Sequence, residues 1–261
     1  MRYLRLLWLQ LRLSLATGMQ YRWNFVVDGG VSLLWTALGL VPLHIALHDR
    51  PALAGWTFDR ALVVVGYFTL LRGLLDGAIN PSLLTVVDQI RQGTFDFVLF
   101  KPADAQFLVS TSKFEVWKGL DVLAALGILG WAFHLLGRAP PATGVALSLA
   151  LLGCAVLVLY ALWILVVAAA FWVVRLDNLA YLFDAIFDFA RWPVSLFKGG
   201  WRFFFTFVIP LGLMTTYPAE ALLGVLSPRT ALLSVLGSLA FALAARGAWT
   251  RAIGHYTSAS S

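Results

Sequence analysis

"ATGVALSLALLGCAVLVLYALWILVVAAAFWVV", residues 142–174, contains no Asp, Glu, Lys, Arg or His. A helix rises 1.5 Å per residue, so about 20 apolar residues cross the hydrocarbon of a bilayer. This run exceeds that length but is too short for two spans and a turn, so it predicts one long membrane helix. The turn "GRAPPATG" begins at Gly137 ahead of it, and Arg175 and Asp177 mark its wet end.

The whole chain follows suit. Of its 261 residues, 61% are hydrophobic and only 12% charged, about half the charge of a soluble domain. The sequence therefore predicts an integral membrane protein of about six spans. Its net charge of +6 fits basic residues gathered near an anionic leaflet and gives no reason to expect nucleic acid. Cys154, the single cysteine, lies within the apolar run; this excludes an internal disulfide or a cysteine metal cluster.

The first 20 residues read as a helix lying in the membrane interface. Leu4, Leu7, Trp8, Leu11 and Leu15 share one face, and Arg2, Arg5 and Arg12 point away. Spans are expected at about Trp23–Ala46, Ala61–Ile79, Gly119–Leu136, Ala142–Val174, Asn178–Phe197 and Thr230–Ala245. Pro42 is placed to kink the first, beyond which lies the polar break "HDRPALAGWTFDR". Gly29–Gly30 suits close helix packing. In "WRFFFTFVIPLGLMTTYPAEALLG" (201–224), Pro210 and Pro218 interrupt an apolar run. Residues 198–226 therefore read as a re-entrant pair of short helices packed inside the protein. With both termini cytoplasmic, 12 Lys and Arg face inward and 7 outward, the sense of the positive-inside rule.

Catalytic signatures are missing. There is no G-x-x-x-x-G-K-[ST] loop to cradle ATP phosphates and no G-x-G-x-x-G after a strand. The histidines His44, His48, His134 and His255 lack zinc-binding spacing, although His44 and His48 are one helical turn apart. We expect a non-enzymatic subunit that binds no cofactor itself.

Between the second and third spans the chain becomes wet, over residues 80–118. Leu83, Val87 and Ile90 recur at helical spacing, with Asp88, Arg91 and Gln92 on another face. Gly93 is a helix stop, and "TFDFVLFKP" returns to apolar residues until Pro102. From Ile90 to Phe107 the chain reads "IRQGTFDFVLFKPADAQF". This resembles permease subunits of the type-2 ABC exporter family, in the branch whose loop reads I-R-x-G-x-x-D-F-x-L-x-K-P-x-D-x-Q-F. Residues 190–197, "ARWPVSLF", and 206–224 match it a second time.

The resemblance implies an all-α permease: an interfacial helix, six spans and a re-entrant pair before the last. It implies that the wet loop docks on a separate ABC-type ATPase through Val87, Asp88, Ile90, Arg91, Gly93, Phe95, Asp96, Lys101 and Pro102, with Lys101–Pro102 as a stiff joint. ATP and Mg would be held by that partner. It also implies a second, non-identical permease chain and a prokaryotic inner membrane.

Asp28, Arg72, Asp76, Asp121, Asp184, Asp188 and Arg191 lie in or near spans. Pairing explains Arg72 with Asp76 and Asp188 with Arg191, while Asp28 and Asp121 suit the interface. Asp184, Asp188 and Arg191, with the aromatic run Phe203, Phe204 and Phe205, are candidates for a substrate path. An ion-coupled secondary transporter using Asp184 and Asp188 is the alternative reading; it predicts two similar halves, and no internal repeat is evident.

Overall fold

The computed structural model describes residues 2–20, 22–48, 51–172 and 177–255; Arg50 and Arg175 lie outside them. Among the described residues there is no strand. Five helices are long and apolar enough to cross a membrane: Val26–His48, Phe58–Arg91, Val116–Leu136, Ala142–Ala169 and Pro228–Gly254.

In chain order, α1 (Arg2–Gln20) precedes α2 (Arg22–His48), which continues through Pro42. Next, α3 (Phe58–Leu74) passes through a wide π turn, Leu75–Ile79, straight into α4 (Asn80–Arg91). The short helices α5 (Asp96–Leu99) and α6 (Ala105–Ser110) complete the loop before α7 (Gly119–Leu136) and α8 (Ala142–Ala169). Then come α9 (Asp177–Phe187), α10 (Gly199–Phe203), α11 (Tyr217–Leu222) and α12 (Pro228–Gly254).

Proline explains the π turns. Among the described residues the three occupy Leu75–Ile79, Phe204–Val208 and Gly212–Thr216, and two positions beyond the end of each comes a proline: Pro81, Pro210 and Pro218. Proline has no N–H and its ring clashes with the carbonyl four residues back, so the preceding turn widens. At Pro81 that carbonyl belongs to Gly77. It accepts instead from the Glu115 N–H at 2.8 Å.

Small residues let α3 and α7 approach. A Cβ on Gly66 would meet Leu129 at 2.6 Å, one on Gly73 would meet Asp121 at 3.0 Å, and one on Gly77 would meet Lys118 at 3.1 Å. Gly29 of α2 is equally tight, 2.5 Å from Leu120, whereas Gly30 faces open space. The core is central. Leu151, Ala155, Leu159 and Ile164 of α8 are buried, while α2 and α12 leave Leu34, Ile45, Leu236 and Leu243 on the outer surface for lipid.

The expected span at 178–197 is corrected. That stretch is the 11-residue helix α9 followed by 3-10 turns at Asp188–Arg191 and Val194–Leu196. Pro193 forces Trp192 into extended backbone, and 11 residues reach only about 16 Å. Beyond it, α10 and α11 are separated at Ile209–Pro210, as the prolines predict. The second half packs inward. Ser148 of α8 donates to the Pro218 carbonyl at 3.0 Å, and Tyr67 bonds Ser148. A Cβ on Gly144 would lie 2.6 Å from the Ala221 carbonyl.

Candidate functional site

The wet segment begins as the continuation of the second span. Helix α4 ends in a hydrogen-bonded cap: the Gly93 N–H reaches the Ile90 carbonyl at 3.2 Å and the Thr94 N–H reaches Gln89 at 2.9 Å. Gly93 takes a φ of +67°, which a side chain disfavours. The chain turns there and enters α5.

That turn divides the apolar residues. Phe95 is fully buried, its ring 5.5 Å from Phe171 and 6.2 Å from Trp249. It is therefore a plug between the loop and the ends of α8 and α12. Val87 is also buried and Ile90 half-buried. Asp88, Arg91, Lys101 and Pro102 are exposed, and Gly93 and Asp96 half-buried. Phe97 and Phe100, 70% and 82% exposed, are apolar tips; Phe97 falls on a fixed position of the family motif and Phe100 does not.

The return limb is strapped to α4 by its main chain. The Ser82 hydroxyl donates to the Lys113 carbonyl at 2.7 Å and accepts from the Lys113 N–H at 2.9 Å. With the Gly77–Glu115 bond, this makes two straps close to the membrane end of the loop, in addition to the Lys101–Pro102 turn. Helix α1 joins too. Tyr3 packs edge-on against Phe107 at 4.8 Å, its hydroxyl accepts from the Asp104 N–H at 3.3 Å, and Ser14 accepts from the Phe114 N–H at 3.1 Å.

Asp104 caps α6 by accepting from the Phe107 N–H at 3.0 Å. Its carboxylate also receives both arms of Arg246 from α12, at 2.7 and 3.3 Å. That bond to the Arg246 guanidinium holds the Asp104 carboxyl below the usual carboxylate range. One Arg246 arm reaches Gln106 at 2.6 Å, and Gln106 in turn donates to Tyr160 of α8 at 3.0 Å.

Deeper lies a charged cavity of about 440 Å³ between α2 and α3. Arg72, roughly 20 Å along the helix from Phe58, bonds Asp76 at 3.0 Å, Asp184 at 3.4 Å and Asp188 at 3.8 Å. Arg191 meets Asp188 at 3.2 Å, and Lys118 meets Asp76 at 3.5 Å and Asp121 at 3.1 Å. Asp121, in the first turn of α7, is thus buried in this group, with Ser32 donating to it at 2.6 Å. Asp28 is exposed. Charges at this depth persist only when paired.

The structure joins Asp184, Asp188 and Arg191 but separates them from the aromatic run. Phe205 is buried against Phe189, Phe197 and Trp201; Phe204 is half-buried and Phe203 exposed. None of the three lines the cavity. Trp35, Phe68 and Thr69 do, and the sequence offered no signal for them beyond their places in spans. His44 and His48 share a face, 5.1 Å apart, but among the described residues no group of three metal-ligating side chains occurs.

Neither a curated protein nor a solved structure matches the chain. A family model described as "ABC-2 family transporter protein" matches residues 33–260, which include the loop, the cavity and the last helix. The chain therefore belongs to the ABC-2 transporter family, as the permease subunit of a multi-pass ABC transporter.

Proposed function

We propose that this permease moves substrate outward across a prokaryotic inner membrane, driven by ATP hydrolysis on a separate ABC-type ATPase. The observation that carries this reading is the wet segment. Exposed Phe97, Phe100 and Lys101 form a tip for a partner, while Phe95 and the straps at Ser82 and Gly77 join that tip to the spans. A docking element that passes on force needs both properties. ATP and Mg belong to the partner chain, and this chain binds no cofactor and catalyses no reaction. A second permease chain, non-identical, would complete the path.

Cytoplasmic termini fit the contacts. Tyr3 and Arg246 both touch Asp104, which supports placing both ends on the side of the docking segment. Residues 177–222 would then make the sixth crossing in pieces, with α11 reaching the outer end of α8 at Gly144. The cavity lined by Arg72, Asp188 and Arg191, with Asp184 bonded to Arg72 beside it, is the candidate substrate path.

The test is to purify the chain in mild detergent with its genomic neighbours and to assay ATPase activity. A stoichiometric ATPase that is lost from Phe97→Ser/Phe100→Ser supports the reading. A chain that elutes alone and drives ion-linked transport in vesicles overturns it in favour of a secondary transporter.

A further inference from the structure

We infer that the Arg246–Asp104 fork carries movement of the docking segment directly to the last membrane helix, with Arg246 as a positioning residue. The inference rests on the proposed ATP-driven reading. It goes further by naming α12, rather than only the helices that flank the loop, as a moving part.

Helix α12 meets the loop at Arg246 and, three residues on, at Trp249. They differ in kind. Trp249 meets Phe95 edge to face inside an apolar socket that also holds Phe171. Such packing resists separation and prefers an edge-to-face angle, but it offers no hydrogen bond to fix the rotation of α12. Arg246 presents a planar fork to both Asp104 oxygens, at 2.7 and 3.3 Å. A bidentate pair fixes orientation as well as distance. Phe95 therefore holds α12 to the loop and Arg246 sets its rotation.

The rest of the node keeps Asp104 from yielding. Its carboxylate is tied to the first turn of α6 through the Phe107 N–H, and its own N–H to Tyr3. Gln106 and Ser110 of α6 grip Tyr160 of α8 at 3.0 and 2.7 Å. The fork itself is 47% and 37% exposed, a setting in which an ion pair adds little to stability. Its loss should therefore appear in the response of α12, not in folding.

Leu243, 74% exposed and three residues before Arg246, is the reporter position. In a Cys154→Ala background, Leu243→Cys would carry a nitroxide label, and the complex with its ATPase would be placed in nanodiscs. Spectra are recorded nucleotide-free and trapped with ATP and vanadate. We expect a nucleotide-dependent change in the parent complex. It should be lost in Arg246→Ala and in Asp104→Asn, which keeps an oxygen for the α6 cap, although both complexes still hydrolyse ATP. A response that persists in both variants overturns the inference alone. If Arg246→Ala does not assemble, Asp104→Asn decides by the same criterion. If no ATPase accompanies the parent, the proposed function falls and the inference with it.

Discussion

Two arginines in this protein each bind more than one acceptor, and their surroundings give the bonds opposite meanings. Arg72 lies deep in α3 among Asp76, Asp184 and Asp188. Arg246 lies half in water against Asp104 and Gln106. In the first place the charges cannot be solvated by lipid, so pairing is a condition for folding. In the second, water competes with every bond and the net contribution is small. Geometry alone would rank the Arg246 fork, with its 2.7 Å contact, as the stronger; the medium reverses the order for stability.

The comparison can be broken most forcefully at Arg72. Arg72→Leu takes from Asp184 its cation, while Asp188 keeps Arg191 and Asp76 keeps Lys118, and should cost roughly 3 kcal/mol, read as a lower thermal midpoint in detergent; an unchanged midpoint would mean that water fills the cavity and solvates Asp184. Next, Gly73→Leu forces α7 away from α3 and separates Lys118 and Asp121 from Asp76. Overpacking of this kind costs about 1–3 kcal/mol, and a midpoint equal to the parent's would show that α7 is free to shift. Arg246→Ala should lower stability by less than about 1 kcal/mol in the same assay. A loss as large as that of Arg72→Leu would erase the contrast.

The smallest expected effect is with pH. The bond to Arg246 depresses the folded-state pKa of Asp104 below its ordinary 3.8. The stabilisation is therefore fully present above the ordinary value and lost only as pH falls through the lower, folded one. The difference in midpoint between parent and Arg246→Ala should stay flat from about pH 5 to about pH 8. A slope in that window would assign the difference to another group.

What the sequence discloses follows from range. The apolar runs of α2, α3, α7, α8 and α12 are legible because one helix needs only its own residues to declare itself. The pairs Arg72–Asp76 and Asp188–Arg191 are legible for the same reason, at four and three residues apart. Arg72–Asp184 and Arg246–Asp104 join residues 112 and 142 apart, and nothing local predicts them. Asp104 and Gln106 appear within the quoted motif, but their partners Arg246 and Tyr160 do not. Phe95 is instructive in another way. In "TFDFVLF" three phenylalanines look equivalent, and α5 is too short for periodicity to sort them. Tertiary packing buries Phe95 and exposes Phe97 and Phe100. The span expected at 178–197 failed because hydrophobicity was read without giving full weight to Pro193, which ends the helical turns before they reach membrane length.

The π turn at Leu75–Ile79 also has an angular effect. It holds one residue more than an α-turn, so everything below it is rotated by about 100° relative to an uninterrupted helix. Pro81 thereby acts as a phase setting for the second span. It decides the direction in which Ser82, Val87 and the docking tip face, while the membrane half keeps Arg72 turned to its carboxylates. A relative lacking this proline could share every other residue of the loop and still aim it at a different neighbour.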